Sequence, residues 1–276
     1  DSAFSFDACG LTEVRFKEEA VLEGDLMINI WRAPIDNDGI KGWTGQQNKA
    51  LDRWRAQGIF DAEAAQSAPT LVSNRRGKVV IDHTLSLKTT DGTVICQTRY
   101  VLKATGGLSV QHTFNVPKSL SDLPRIGIRY GLASALEQLS WFGRGPHETY
   151  ADRKQSGRLM QHASSVSDQY VPYILPQDHG NLTEVRWLKL DDGDDLKFCI
   201  TGDTPFEASA SRYKKEDLLA AFHTHEVSPD TQVWLNLDAQ QRGLGGASCG
   251  PDTLPTYRLT SGTFHLNYTI DCGDSG

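Results

Sequence analysis

The chain has 276 residues, 38% hydrophobic and 23% charged, with a formal net charge of −7. That length holds one large all-β domain or two ordinary ones, and the acidic balance excludes a nucleic-acid partner, which needs a basic surface to release phosphate counterions. No run approaches the roughly eighteen apolar residues of a membrane-spanning helix, so no membrane partner is expected.

Asp1 opens without an initiator Met or a basic-then-apolar signal, so an excised or processed start is expected. A helix is predicted over residues 44–57: Thr44-Gly-Gln-Gln47 reads as a capping box, Leu51 and Trp54 share a face, and Gly58 ends it. From Val79 the pattern changes to a period of two, with Val79, Ile81, Leu85 and Leu87 against Asp82, Thr84 and Ser86. After the hairpin signal Asp91-Gly92 it continues with Val94, Cys96, Tyr100 and Leu102. Gly106-Gly107 then turns into Leu108, Val110 and Phe114, completing an antiparallel meander. The alternation returns at Ile126 to Leu132, at Val233, Leu235 and Leu237, and at Phe264 to Ile270. Many short strands, one short helix, and neither repeat nor linker predict a single all-β domain over residues 1–276, built as a large antiparallel sandwich.

Five cysteines, at 9, 96, 199, 249 and 272, are odd in number and widely spaced, which fits neither a disulfide framework nor a zinc site. Cys96 and Cys199 read as buried thiols, and Cys249 stands apart in a Gly-rich loop. His223 and His225 form an H-x-H with no third ligand recognised nearby, so no metal is assigned. Asp191-Asp-Gly-Asp-Asp195 lacks the ligand spacing of a calcium loop and reads as a hairpin turn. Trp31, Trp141 and Trp234 read as core.

Four segments are richer than generic strand or turn. They are Trp31-Arg-Ala-Pro-Ile-Asp-Asn-Asp38; Trp141-Phe-Gly-Arg-Gly-Pro-His-Glu-Thr-Tyr-Ala-Asp-Arg153; Tyr170-Val-Pro-Tyr-Ile-Leu-Pro-Gln-Asp-His-Gly-Asn181 with Arg186; and Trp234-Leu-Asn-Leu-Asp238 followed by Gly243-Leu-Gly-Gly-Ala-Ser-Cys-Gly-Pro-Asp-Thr-Leu-Pro255. In this order and spacing, from about Phe4 to Ile270, they resemble the C-terminal, small-chain domain of the glycoside hydrolase family 2 β-galactosidases.

The resemblance implies a galactose mutarotase-like β-supersandwich and a retaining parent enzyme acting on β-D-galactosides. Retention needs two carboxyl groups roughly 5–5.5 Å apart. In this family both sit on a separate (β/α)₈ barrel, whose motifs are absent here, so no catalytic residue is expected in this chain. The partners implied are that barrel, a galactoside and a homo-oligomeric copy. Magnesium and sodium belong to the barrel, leaving no cofactor here. The family's cleft-bordering Trp, two residues before a Pro and after a Gly-x-Gly-Gly run, aligns with Cys249 if one residue is deleted. Cys249 and Gly250 are therefore expected at the cleft rim, with a small soft side chain in place of a stacking surface.

Bland alternatives stand beside the sharper ones. Arg32, Asp36 and Asp38 are candidates for sugar hydroxyls, or a charge-paired turn that stitches sheets together. His147 with Glu148, and His179 with Glu184, are candidate acid–base pairs in Gly/Pro loops. An autonomous aldose epimerase or a carbohydrate-binding domain on the same fold are the competing functions. The missing Met start and the four parent motifs favour a part of a larger enzyme. A soluble bacterial protein, cytoplasmic or periplasmic, is expected.

Overall fold

The computed structural model describes residues 1–276 apart from 1, 25, 47, 76, 104–106 and 273–276. Gln47 and Gly106, parts of the expected capping box and of one expected turn, lie outside the described residues. The chain opens with short strands β1 (Ser2–Asp7), β2 (Gly10–Phe16), β3 (Glu19–Glu23) and β4 (Met27–Asn29). Helix α1 (Ala50–Ala56) leads to β5 (Glu63–Gln66), β6 (Thr70–Arg75) and the long strands β7 (Lys78–Lys88), β8 (Thr93–Lys103) and β9 (Leu108–Val116). Then come β10 (Arg125–Leu132), β11 (Gln138–Gly145), β12 (Arg158–Ser165), β13 (Leu182–Asp191) and β14 (Lys197–Ser211). Helix α2 (Lys215–Ala220), β15 (Val233–Gln241) and β16 (Gly262–Asp271) finish it.

Every pairing among these strands is antiparallel. The main path runs β1-β2-β3-β10-β15-β14-β16-β9-β8-β7-β5, and β11, with β12 and β13 on either side, branches off at β14. Strand β14 makes the branch possible. Its first half pairs with β16, from Cys199 to Gly202, and its second half with β15, from Glu207 to Ser211. One strand thus serves two parts of the sheet, and the sheet curls into a sandwich around a shared core.

The expected meander β7-β8-β9 forms with an unbroken register from Lys78↔Lys103 to Lys88↔Thr93. Val94, Cys96 and Tyr100 are buried as the alternation requires, and Phe114 meets Cys96 across the next pair. Burying each large apolar side chain contributes about 1.5–3 kcal/mol. A chain of neutral polar groups crosses this core: His112 bonds Thr98 Oγ1 at 2.8 Å through Nδ1 and the Tyr268 hydroxyl at 2.9 Å through Nε2. Tyr268 and Tyr130 then share a hydrogen bond of 2.6 Å. Burial lowers the His112 pKa to about 3, so the ring is neutral.

Four expectations need correction. The helix starts at Ala50, not Thr44, because Gln46 is diverted into the preceding loop, where its side chain bonds the Ile40 amide at 2.9 Å and the Ile40 carbonyl at 3.0 Å. A second helix, α2, joins the one expected; Leu218 anchors it against Ala33, Ala221 and Val227. All of β10 is buried, not one face only, and its arginines are paired, Arg125 with buried Asp238 and Arg129 with Glu216 at the surface. Cys199 is only partly buried. The turn at 191–195 is a hairpin as expected, with Asp192 Oδ1 accepting from the amides of Asp194 and Leu196.

Candidate functional site

The four distinctive segments lie far apart in sequence but meet beside β15. Residues 31–38 form a tight turn, Asp38 N to Ile35 O at 2.9 Å, that points Arg32 inward. Its guanidinium pairs with Asp38 at 2.9 Å and donates to the carbonyls of Arg242 at 2.8 Å and Gly243 at 3.3 Å, coupling the first segment to the fourth. Arg242 continues the chain of charges to Asp122 at 2.8 Å and Asp252 at 2.6 Å, and Arg53 of α1 reaches both carboxylates at 2.6 and 2.7 Å. Three arginines alternate with three aspartates. That balance is what permits the burial of Arg32, Asp38 and Arg242, each 0% exposed.

The network sits under the loop of residues 243–250. Asp152, from the second segment, accepts from the Leu244 amide at 2.9 Å and the Gly245 amide at 2.7 Å. A Cβ at Gly243 would lie 2.6 Å from the Asp152 carboxyl carbon, so a larger residue there would have to displace the carboxylate that holds the two amides. Asn37 donates to the Gly245 carbonyl at 3.0 Å and accepts from Ser248 Oγ at 3.1 Å, and Lys49 reaches the Ala247 carbonyl at 2.6 Å. The base of the loop is therefore pinned from three sides, and Cys249 is exposed at its tip.

Beside the loop lies a groove of about 170 Å³ lined by Asp36, Asn37, Glu148, Arg153, Tyr173 and Gln177, with Gln177 Oε1 accepting from the Asp36 amide at 3.2 Å. All four segments contribute to it. Small-molecule pockets commonly span about 300–1,000 Å³, so the groove by itself is too small to enclose a ligand. Glu148 is buried, and its oxygens are taken by Arg153 at 2.6 Å, the Tyr173 hydroxyl and the Gly180 amide at 2.9 Å. Asp178 accepts from the Tyr150 hydroxyl at 3.2 Å, and only Asp36 turns outward.

The candidate pairs do not come together as pairs. His147 is exposed and bonds Ser156 Oγ at 2.9 Å, whereas the Glu148 carboxylate bonds other groups. His179 is buried against Tyr170 and bonds Ser211 Oγ at 3.2 Å, while Glu184 pairs with Arg144 at 2.8 Å and Lys154 at 2.7 Å. Arg32 and Asp38 face each other in the interior, where a sugar does not reach them without displacing the network. Trp141 is core, while Trp31 and Trp234 are half-buried under Lys215 and Arg129, at 3.9 and 4.1 Å.

Two residues escape a reading of sequence. Glu207, on β14, bonds Asn181 Nδ2 at 2.8 Å and the Gln241 amide at 3.2 Å, and burial pushes its pKa up to about 7. Nothing in Pro205-Phe-Glu207 signals this, because it follows from the β14–β15 pairing that sets Glu207 opposite Asp238. Lys41 sends its ammonium to the carbonyls of Pro176 at 3.0 Å, Leu218 at 2.6 Å and Ala221, and burial lowers its pKa to about 8. It gathers three segments that carry exposed apolar side chains: Trp43, Phe222 and Ile174, the last 93% exposed.

Comparison with known proteins gives a consistent picture. The family described as beta galactosidase small chain matches residues 1–270. A β-galactosidase of Psychromonas ingrahamii is 30% identical over 259 residues, covering 92% of this chain and 24% of that protein. One from Priestia megaterium is 28% identical over 253 residues, covering 91% and 24%. The chain thus spans about a quarter of the length of these relatives. Among solved structures it is similar to a galactose 1-epimerase from Lactobacillus acidophilus, with a TM-score of 0.48 and 8% identity, over 96% of this chain and 89% of that one.

Proposed function

The chain belongs to the β-galactosidase small-chain family, and from that premise we propose that it is the non-catalytic part of a retaining, family 2 β-galactosidase hydrolysing terminal β-D-galactosides. It acts as one domain over residues 1–276, packs on a separate catalytic barrel, and presents Cys249 and Gly250 at the rim of the galactoside cleft.

The observation that carries this reading is the pinned loop with a free tip beside an incomplete groove. A wall of about 170 Å³ built from four segments, with its inner carboxylates engaged, has the geometry of a surface that another body completes. The barrel is that body. Trp43, Ile174 and Phe222, gathered by Lys41, supply apolar area for docking. Glu148 and Asp178 do not resemble the acid–nucleophile pair of a retaining mechanism, which needs one carboxyl open to the anomeric carbon.

The test uses a chromogenic galactoside. The chain alone is expected to turn over nothing, and activity is expected when it is combined with the remaining three quarters of its parent. In the complete enzyme, Cys249→Trp should change galactoside KM severalfold with little change in thermal stability. Turnover by the chain alone, or a Cys249→Trp enzyme with unaltered kinetics, would show the reading to be wrong.

A further inference from the structure

His223 and His225 are a pair in the sequence, and the fold supplies a third donor. Beyond α2 the chain makes a single 3-10 turn, Thr224–Glu226. It brings the side chains of 223, 225 and 226 together on the surface. The Glu226 carboxylate is fixed by backbone: Oε2 accepts from the Phe222 amide at 2.7 Å and from the His223 amide at 3.3 Å. Its other oxygen faces His223 Nδ1 at 2.8 Å. The two imidazoles lie nearly parallel, with centroids 5.4 Å apart and planes inclined by 24°. One donor atom from each of the three side chains falls within 4.8 Å of the others, and all three side chains are exposed.

We propose that His223, His225 and Glu226 bind one divalent transition-metal ion of the zinc class through two imidazole nitrogens and one carboxylate oxygen. Zinc holds such donors at about 2.0–2.2 Å, which places neighbouring donors roughly 3.4 Å apart around a tetrahedral ion. The donors already lie within 4.8 Å of one another, with His223 Nδ1 and Glu226 Oε1 at 2.8 Å, so reaching that spacing takes small rotations of exposed side chains on a turn whose backbone is already set. Two imidazoles select zinc, nickel or copper over magnesium and calcium, which prefer oxygen alone.

The amides of Phe222 and His223 act as an outer shell that orients the carboxylate. A metal entering there takes the place of the His223–Glu226 hydrogen bond. Three protein donors leave a coordination position for water. Because all three lie within four consecutive residues, the unfolded chain offers much the same chelate. Zinc should therefore raise the melting temperature little even while binding firmly. The site stands apart from the galactoside reading and does not depend on it.

The test is a zinc sulfate titration of the tag-free chain against a chromogenic chelator. One zinc per chain is expected at roughly micromolar affinity, while magnesium at the same concentrations does not compete. His225→Ala and Glu226→Gln should each weaken zinc at least about tenfold. Both change exposed side chains, and their circular dichroism in chelator should match the unaltered chain. Cobalt(II) offers a second readout, a visible absorption band that disappears in His225→Ala. Failure to take up zinc in this range, or uptake that survives both substitutions, overturns the proposal.

Discussion

Along β7, β8 and β9 most inward side chains are apolar, and two of the polar ones, Thr98 and His112, are neutral and bonded to one another. Under the 243–250 loop the inward side chains are charged, with Arg32, Asp38, Arg242, Asp122 and Asp252 joined in one chain. The meander draws its stability from area removed from water, which tolerates imprecise geometry. The loop cluster depends on paired charges, where the loss of one partner leaves its neighbour uncompensated. Precision at the loop base, which positions Cys249, comes with that dependence. The comparison teaches that the region presenting the proposed rim is the more brittle of the two.

Asp38→Ala should have the largest effect. It leaves Arg32 buried without its carboxylate and should cost about 3–5 kcal/mol in urea unfolding. A loss below about 1 kcal/mol would mean that water replaces the carboxylate and that the cluster is no more brittle than the meander.

Acid titration sets His112 of the meander against Glu207 of β14, whose carboxylate accepts from the Gln241 amide just before the loop cluster. His112, with its folded pKa lowered to about 3 from an unfolded value near 6.5, contributes fully above pH 6.5 and loses its contribution as pH falls from there towards 3. Glu207, raised to about 7 from 4.5, favours the folded state at low pH and loses that contribution as pH rises from 4.5 through 7. Between pH 4.5 and 6.5 the two slopes oppose. The unfolding free energy should be nearly flat there, and Glu207→Gln should expose a rise of about 1.4 kcal/mol per pH unit. An unchanged, flat profile in Glu207→Gln would remove the histidine from the account.

Asp152→Ala takes the acceptor from two loop amides and should cost about 1–2 kcal/mol. Labelling by a thiol reagent makes this prediction local. Cys249, exposed, should react well before buried Cys96, whose pKa burial pushes up to about 12. Asp152→Ala should change the Cys249 rate and leave Cys96 slow, and faster labelling of Cys96 would mean that the whole fold loosened. The smallest effect belongs to the exposed Arg99–Asp82 pair on the meander. Although bidentate at 2.7 Å, it should contribute under about 1 kcal/mol on Arg99→Ala.

The meander was legible because a period of two is a local property, visible in Val94, Cys96 and Tyr100 without knowledge of their neighbours. The four segments stood out by composition, but their meeting point did not, since it depends on how β14 divides its pairing between β15 and β16. The Thr44 capping pattern misled because the chain stays in a loop, where Gln46 bonds the Ile40 backbone, until the helix begins at Ala50. Helix α2, at six residues, is too short for a helical period to register and is held by Leu218 packing. The third donor beside His223 and His225 was present in the letters as Glu226, yet only the 3-10 turn gives it a direction.

The pins on the 243–250 loop seize main-chain atoms: the amides of Leu244 and Gly245 and the carbonyls of Gly245 and Ala247. The loop's path is therefore written in backbone and is nearly indifferent to the side chain at position 249. Selection, or an engineer, can exchange that one residue as a tool is changed in a fixed holder, trying an aromatic ring, a hydroxyl or a charge at the proposed rim without renegotiating the fold. A library confined to position 249 should accordingly vary in substrate preference far more than in yield of folded protein.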